Sequence, residues 1–245
     1  MSRSARHRLF LDEPLAQGRE LELGREQANY LGNVLRLGPG DEVLLFNGRD
    51  GEWRAAVAVA DRKRVTLRCE ERTRPQDPPA DLHYLFAPLK HARLDYMAQK
   101  AVEMGASRLH PVLTRRTQVA RVNLERLRAN AIEAAEQCGL LALPEIRSED
   151  RLETALAELA PERLLVFCDE EAQPGSPLDA LREAGPGPLA VLIGPEGGFD
   201  AQERTRILSH PRVLRISLGP RILRADTAAV AALALVQSVL GDWPR

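Results

Sequence analysis

The first third of the chain carries short apolar alternations. Arg8 to Leu11 and Glu20 to Leu23 alternate over only a few residues, which suits brief strands. Glu26 to Leu35 instead repeats at helical spacing, with Tyr30, Leu31, Val34 and Leu35 on one face. Gly38-Pro39-Gly40-Asp41 predicts a turn and Glu42 to Phe46 a strand. Asn47-Gly48-Arg49-Asp50-Gly51 predicts a hairpin, because Asn and Gly accept the positive φ of tight turns. Trp53 to Ala60 and Arg64 to Cys69 complete a small, mostly β unit of barrel-like size. Residues 71–80, ERTRPQDPPA, combine three prolines with charge, a composition that excludes a central strand or helix interior. The expected division is a β-barrel domain over 1–74, a proline-rich linker over 75–80 and a second domain over 81–245.

Beyond the linker, strand and helix patterns alternate. Strands are predicted at Leu82–Ala87, Leu109–Leu113, Leu164–Cys168, Leu189–Ile193 and Val213–Leu218. Helices are predicted at Leu94–Met104, stopped by Gly105, at Asn123–Cys138, closed by Gly139, and at Leu152–Leu159. Ser176-Pro177 opens another helix to Ala184, with Ser as N-cap and Pro in the first turn. Such alternation predicts an α/β domain with a mostly parallel sheet covered by helices.

Two loops follow apolar runs near the end. Gly194-Pro195-Glu196-Gly197-Gly198 has no Lys-Ser/Thr pair and no G-x-G-x-x-G spacing, which disfavours a P-loop or a dinucleotide fold. It fits either a ligand loop or an ordinary turn, with Asp200 as N-cap and Glu203 completing a capping box. Gly219-Pro220-Arg221-Ile222-Leu223-Arg224 sets two arginines among apolar residues, a placement that meets a carboxylate, a phosphate or a polar ligand. Asp226 offers itself as an internal partner, and Asp226-Thr227 also suits an N-cap. The last helix, Ala228 to Leu240, is apolar nearly all round except Gln237 and Ser238, which fits a helix central in the domain or, more in keeping with a terminal helix, one whose outer side packs on a second subunit.

Charge alters the picture by distribution rather than by sum. The net charge is −1, yet residues 81–130 carry nine basic and four acidic side chains, and residues 131–180 three and twelve. A basic face for nucleic acid and a set of solvated helix faces both fit this. Thr114-Arg115-Arg116-Thr117, with Lys90, Arg93 and Lys100, offers phosphate contacts or a solvated rim. His7, His83, His91, His110 and His210 are scattered, and no Cys-x-x-Cys or H-E-x-x-H occurs, so no metal site is expected. Cys69, Cys138 and Cys168 are odd in number and far apart, which favours a reducing cytoplasm. No run of about 18 apolar residues predicts a membrane span. The N-terminal MSRSARHRLFLDEP has only a three-residue apolar patch, too short for a secretory h-region.

The two loops together resemble those of the RsmE family of 16S rRNA (uracil-N3) methyltransferases, in the SPOUT superfamily. The residues concerned are Ile193-Gly194-Pro195-Glu196-Gly197-Gly198-Phe199 and Leu218-Gly219-Pro220-Arg221-Ile222-Leu223-Arg224-Ala225-Asp226-Thr227-Ala228. The resemblance extends upstream through Asn33-Val34-Leu35-Arg36-Leu37, Phe46-Asn47-Gly48, Lys100-Ala101-x-Glu103-x-Gly105 and Glu133 to Gly139. One departure is Asp226, where the family usually has Glu.

The resemblance implies a PUA-like β-barrel, then a SPOUT-type α/β domain with a trefoil knot holding S-adenosylmethionine. It implies a cytoplasmic homodimer, joined through the C-terminal helix, that methylates N3 of the uridine at position 1498 of 16S rRNA in the small ribosomal subunit. Leu192, Gly194, Glu196, Gly197, Leu218, Gly219, Ile222 and Leu223 would then hold the cofactor. Arg224, Asp226 and Arg116 would serve the chemistry, and Arg36, Arg64, Lys90, Lys100, Arg115 and Arg116 the RNA. Alternatives are a SPOUT-fold methyltransferase of another RNA and a non-catalytic RNA-binding assembly factor.

Overall fold

The computed structural model describes residues 7–61, 64–172 and 175–243. The first six residues of the N-terminal stretch discussed above, and the side chain of His91, lie outside the described residues. The chain forms two compact units, one of Met1–Pro78 with Ala135–Leu143, the other of Pro79–Ala134 with Pro144–Arg245.

The first unit contains β1 (Arg8–Phe10), β2 (Glu20–Glu22), α1 (Arg25–Asn29), a π-helical turn (Tyr30–Val34), β3 (Glu42–Phe46), β4 (Glu52–Ala60) and β5 (Val65–Arg74). The five strands form one sheet in the order β1-β3-β4-β5-β2. Register shifts between β4 and β5 mark bulges, which bend and twist a sheet and help it curl. The predicted hairpin joins β3 to β4. Asn47 is buried there, and its Oδ1 accepts the backbone N–H groups of Arg49 and Asp50, each at 2.9 Å. Leu9, Leu21, Leu31, Val43, Leu45, Val57 and Leu67 fill the core.

Residues 71–74, expected at the end of the first domain, are the end of β5, paired with β4. The excluding residue is proline, and the first is Pro75. The helix predicted over 26–35 is α-helical only to Asn29. Leu35 N–H then bonds to Tyr30 C=O, an i→i+5 step that widens the turn. The expected stripe is therefore split, with Leu31 buried and Tyr30 and Val34 exposed.

The second unit contains β6 (Leu82–Phe86), α2 (His91–Glu103), β7 (Arg108–Leu113), α3 (Leu124–Cys138), β8 (Glu145–Ile146), β9 (Asp150–Arg151) and α4 (Leu152–Ala157). It continues with β10 (Leu164–Cys168), α5 (Pro177–Ala184), β11 (Leu189–Ile193), α6 (Ala201–Leu208), β12 (Val213–Ile216) and α7 (Ala225–Val239). The last turn of α3 is counted with the first unit, so no single cut in the chain separates the two. The sheet runs β12-β10-β11-β6-β7-β8, with β9 also on β7, and every pairing is parallel. All residues of β6 and β11 are buried, as in central strands covered on both faces. On one face Leu85, Phe167, Ala190 and Leu192 meet Ala155 of α4 and Ile207 of α6. α7 packs on β11, α2 and α5.

The N-cap predicted at Asp226-Thr227 is displaced: Arg224 occupies that position and α7 begins at Ala225. Nor is α7 buried all round within one chain. Ala225, Ala229, Ala232, Leu233 and Val236 face inward, while Val230, Ala231, Ala234 and Leu235 are half-buried. Its buried Gln237 ties it to the end of α2, donating to Met104 C=O at 2.6 Å and accepting Asp242 N–H at 3.0 Å.

Candidate active site

β10 lies between β11 and β12 and the three end together, with Phe167 level with Leu192 and Cys168 with Ile216. A cavity of about 210 Å³ opens beyond their carboxyl ends. Three loops line it: residues 168–171 after β10, the glycine-rich loop after β11 and residues 217–223 after β12, with Ala225 and Ala228 of α7. Crevices at this end of an open α/β sheet are where ligands bind.

Each wall has a local cause. Asp200 caps α6 by accepting Gln202 and Glu203 N–H, and Glu203 closes the capping box on Asp200 N–H. Glu203 also accepts Arg115 N–H at 2.7 Å, and Arg115 pairs with Asp200 at 3.0 Å. The Glu203 N–H first, then the Arg115 guanidinium and the Gln202 N–H, hold the Asp200 carboxyl below its usual range. The glycine-rich loop is thus an ordinary capped turn as well as a cavity wall. Arg116 donates to Gly197 C=O, and Arg93 pairs with Glu196. In the β10 loop, the Asp169 carboxylate is almost fully buried between Arg204 at 2.7 Å and Arg215 at 2.8 Å. Burial, with Asp169 as a lesser cause, pushes the Cys168 thiol up to about 12, so it stays protonated.

Six of the eight residues expected at the cofactor line the cavity: Gly194, Glu196, Leu218, Gly219, Ile222 and Leu223. Ile222 is 94% exposed in the single chain, an apolar side chain awaiting cover. Leu192 is fully buried in the core beside Leu85 and Phe167, and its neighbour Ile193 reaches the cavity instead. In a strand successive side chains point to opposite faces, so a one-residue choice decides this. Gly197 lies against the Arg116 stem rather than in the wall.

Arg224 and Asp226 sit at the start of α7, next to the cavity but outside its lining. Among the described residues no ion pair joins Asp226 to Arg221 or Arg224; Asp226 accepts Thr227 N–H at 2.9 Å. Lys90 is exposed at the N-cap of α2. Lys100 is held by Glu103 at 2.8 Å on α2. Arg36 and Arg64 are exposed in the first unit, and Arg36 has a left-handed φ of 56°. The residues missed by sequence reasoning are Asp169, Glu170 and Glu171, although Cys168-Asp169-Glu170-Glu171 visibly ends an apolar run.

Known proteins agree with this geometry. Residues 76–237 match an RNA methyltransferase domain, and residues 23–69 an RNA methyltransferase PUA domain. The chain belongs to this RNA methyltransferase family. The ribosomal RNA small subunit methyltransferase E of Rickettsia conorii is 31% identical over 94% of this chain and 95% of its own. A Legionella pneumophila methyltransferase, solved with the cofactor SAM, superposes with a TM-score of 0.84 at 30% identity, covering 96% and 98% of the two chains. The Neisseria gonorrhoeae ribosomal RNA small subunit methyltransferase E, bound to S-adenosyl methionine, gives 0.83 at 28% identity over 97% and 99%. The methyltransferase fold here is the SPOUT type, a parallel α/β sheet following a smaller curled β unit. Among the described residues no helix is long and apolar enough to cross a membrane.

Proposed function

We propose that this chain transfers a methyl group from S-adenosylmethionine to N3 of a uridine in 16S rRNA, at position 1498 in conventional numbering. The observation that carries the reading is the cavity where the three loops meet. Gly194 and Gly219 expose backbone for hydrogen bonds, and Ile193, Leu218, Ile222 and Leu223 offer apolar faces to a purine. Glu170 supplies negative charge suited to a cationic cofactor, whereas Glu171 is paired with Arg204 and Glu196 with Arg93. The residues therefore fit S-adenosylmethionine, whose sulfonium makes its methyl electrophilic.

Uridine N3 lies on the Watson–Crick edge and carries a proton. The base must be unpaired, and the proton must leave. In this reading Asp226, half-buried at the start of α7, accepts it. Arg224, exposed at the N-cap, and Arg116, anchored on the glycine-rich loop, stabilise charge developing on the uracil carbonyls. Arg36 and Arg64 of the first unit, with Lys90, Lys100 and Arg115, add phosphate contacts. The half-buried outer face of α7 joins two copies into a homodimer, and work on ribosomal RNA places the enzyme in the cytoplasm.

The test is a nucleoside map by mass spectrometry, using small subunits from a strain lacking the protein. N3-methyluridine after incubation with the wild type is expected, and with Asp226→Asn single-turnover transfer should slow and lose its pH dependence. Methylation at another nucleoside would reject the uridine assignment. An unchanged rate and pH profile would remove Asp226 from the chemistry.

A further inference from the structure

A second cavity, of about 200 Å³, lies between the start of α2, residues 119–123 and the start of α3. Its floor is apolar: Leu89, Leu94, Val119, Val122 and Leu127. Its charged groups divide into two kinds. Asp95 is already engaged, accepting Arg126 at 2.8 and 2.6 Å and Asn130 at 2.8 Å. Lys90 and Arg121 are exposed on the rim, and neither side chain has a hydrogen bond or ion pair with another described residue. The uncompensated charge of the rim is therefore positive, within a segment that carries nine basic and four acidic residues over 81–130.

An apolar slot with a cationic rim fits a nucleotide: a flat base seated on apolar side chains and a phosphate on the cations. Its position fits a neighbour of the reacting base. Leu89 and Lys90 follow β6, and β6 pairs with β11, whose loop walls the first cavity. Arg93, on the same helix as Leu94, reaches that loop through Glu196.

We propose that this second cavity holds an RNA nucleotide flanking the methylated one, with its base against Val119 and Val122 and its phosphate on Lys90 and Arg121. The proposal rests on an RNA substrate, as read above.

The experiment measures binding of a small-subunit RNA fragment to the full chain across salt, together with calorimetry of S-adenosylmethionine. Lys90→Ala/Arg121→Ala should weaken RNA at least tenfold and lower the log–log salt slope by about 1.4, two phosphates at about 0.7 each for single strands. Affinity for S-adenosylmethionine should stay unchanged. Val119→Glu, on a half-buried loop position, should also weaken RNA severalfold. A 4-thiouridine next to the target should cross-link to residues 119–127. An unchanged slope in the double variant would overturn the proposal, as would cross-links confined to other segments. A lower slope with full affinity in Val119→Glu would overturn the base seat and leave a phosphate rim only. Methyl transfer by the wild type is read separately, so a failed enzyme assignment and a failed second cavity give different results.

Discussion

Gly194→Ala isolates the packing that shapes the cavity proposed for the cofactor. Gly194 does not have a positive φ, so alanine meets no backbone strain there. The obstacle is a side chain: a Cβ would lie 2.6, 3.0 and 3.1 Å from Cε2, Cζ and Cδ2 of Phe199. Real Cβ atoms essentially never come within 3.0 Å of another heavy atom, so the ring must withdraw. It has little room, because Phe199 meets Phe167 edge-on at 5.5 Å and packs against the core beneath the sheet. Overpacking of this kind costs about 1–3 kcal/mol. For a chain of this size that is roughly 2–12 °C in thermal midpoint. Because Phe199 also lines the cavity, S-adenosylmethionine affinity should fall with stability. Phe199→Leu shortens the obstructing group. Combined with Gly194→Ala it should recover at least about 1 kcal/mol of the summed losses, measured as coupling in a double-mutant cycle. Thermal denaturation and calorimetry read both quantities. Strict additivity would refute the reasoning, as would a Gly194→Ala protein with unchanged midpoint and affinity.

Three further outcomes follow from other parts of the structure. Gln237→Met leaves Met104 C=O and Asp242 N–H without their partner, and should cost about 1–3 kcal/mol by thermal denaturation; a neutral result would show that water replaces the amide. Burial, then Arg163 and Arg108, holds the His83 imidazole down to about 4 against the pull of Asp81 and Glu145. The folded state thus keeps it neutral while the unfolded chain, near 6.5, takes up a proton. Stability from this group is present above pH 6.5 and is lost as pH falls from 6.5 through 4, so His83→Gln should flatten that decline. His110 and His210, also lowered by burial, leave a residual slope, and an unaltered profile in the variant would dismiss His83. If α7 joins the proposed homodimer, Leu235→Arg, which places a charge on its half-buried outer face, should give a folded monomer by light scattering while the parent runs as a dimer; a variant that stays dimeric places the interface elsewhere.

The local order of the chain was largely legible because its signals are local. Ser176 accepts Asp179 N–H at 3.2 Å at the cap that Ser-Pro announced, and Asp200 and Glu203 form the capping box their spacing predicted. Gly105 and Gly139 take the positive φ expected of helix stops. The failures came where geometry overrides pattern. The stripe Tyr30-Leu31-Val34-Leu35 assumed a 3.6-residue turn, and a π-turn splits it. Leu192 and Ile193 are equally apolar, and only the pleat tells which one reaches the cavity. A knot lies beyond such reading altogether, since ordinary chain physics argues against threaded loops. It entered solely through resemblance.

The missing third wall has the same kind of origin. From sequence, the loops after β11 and β12 looked adjacent because they are consecutive. In the sheet those strands are not neighbours: β10 stands between them. The chain leaves β10 for β11 on one side and then returns to place β12 on the other, so β10 is the switch point of this half of the sheet. Loops that leave opposite sides of a switch strand part and open a crevice above it. The residues ending that strand must then form the crevice floor, and here they are Cys168, Asp169, Glu170 and Glu171. Asp169 is neutralised by Arg204 and Arg215, and Glu171 by Arg204 at 2.8 Å. Glu170 makes no ion pair with the described residues. Strand order thus decides which carboxylates line the crevice floor, and strand order is a property of long-range pairing that no local pattern encodes.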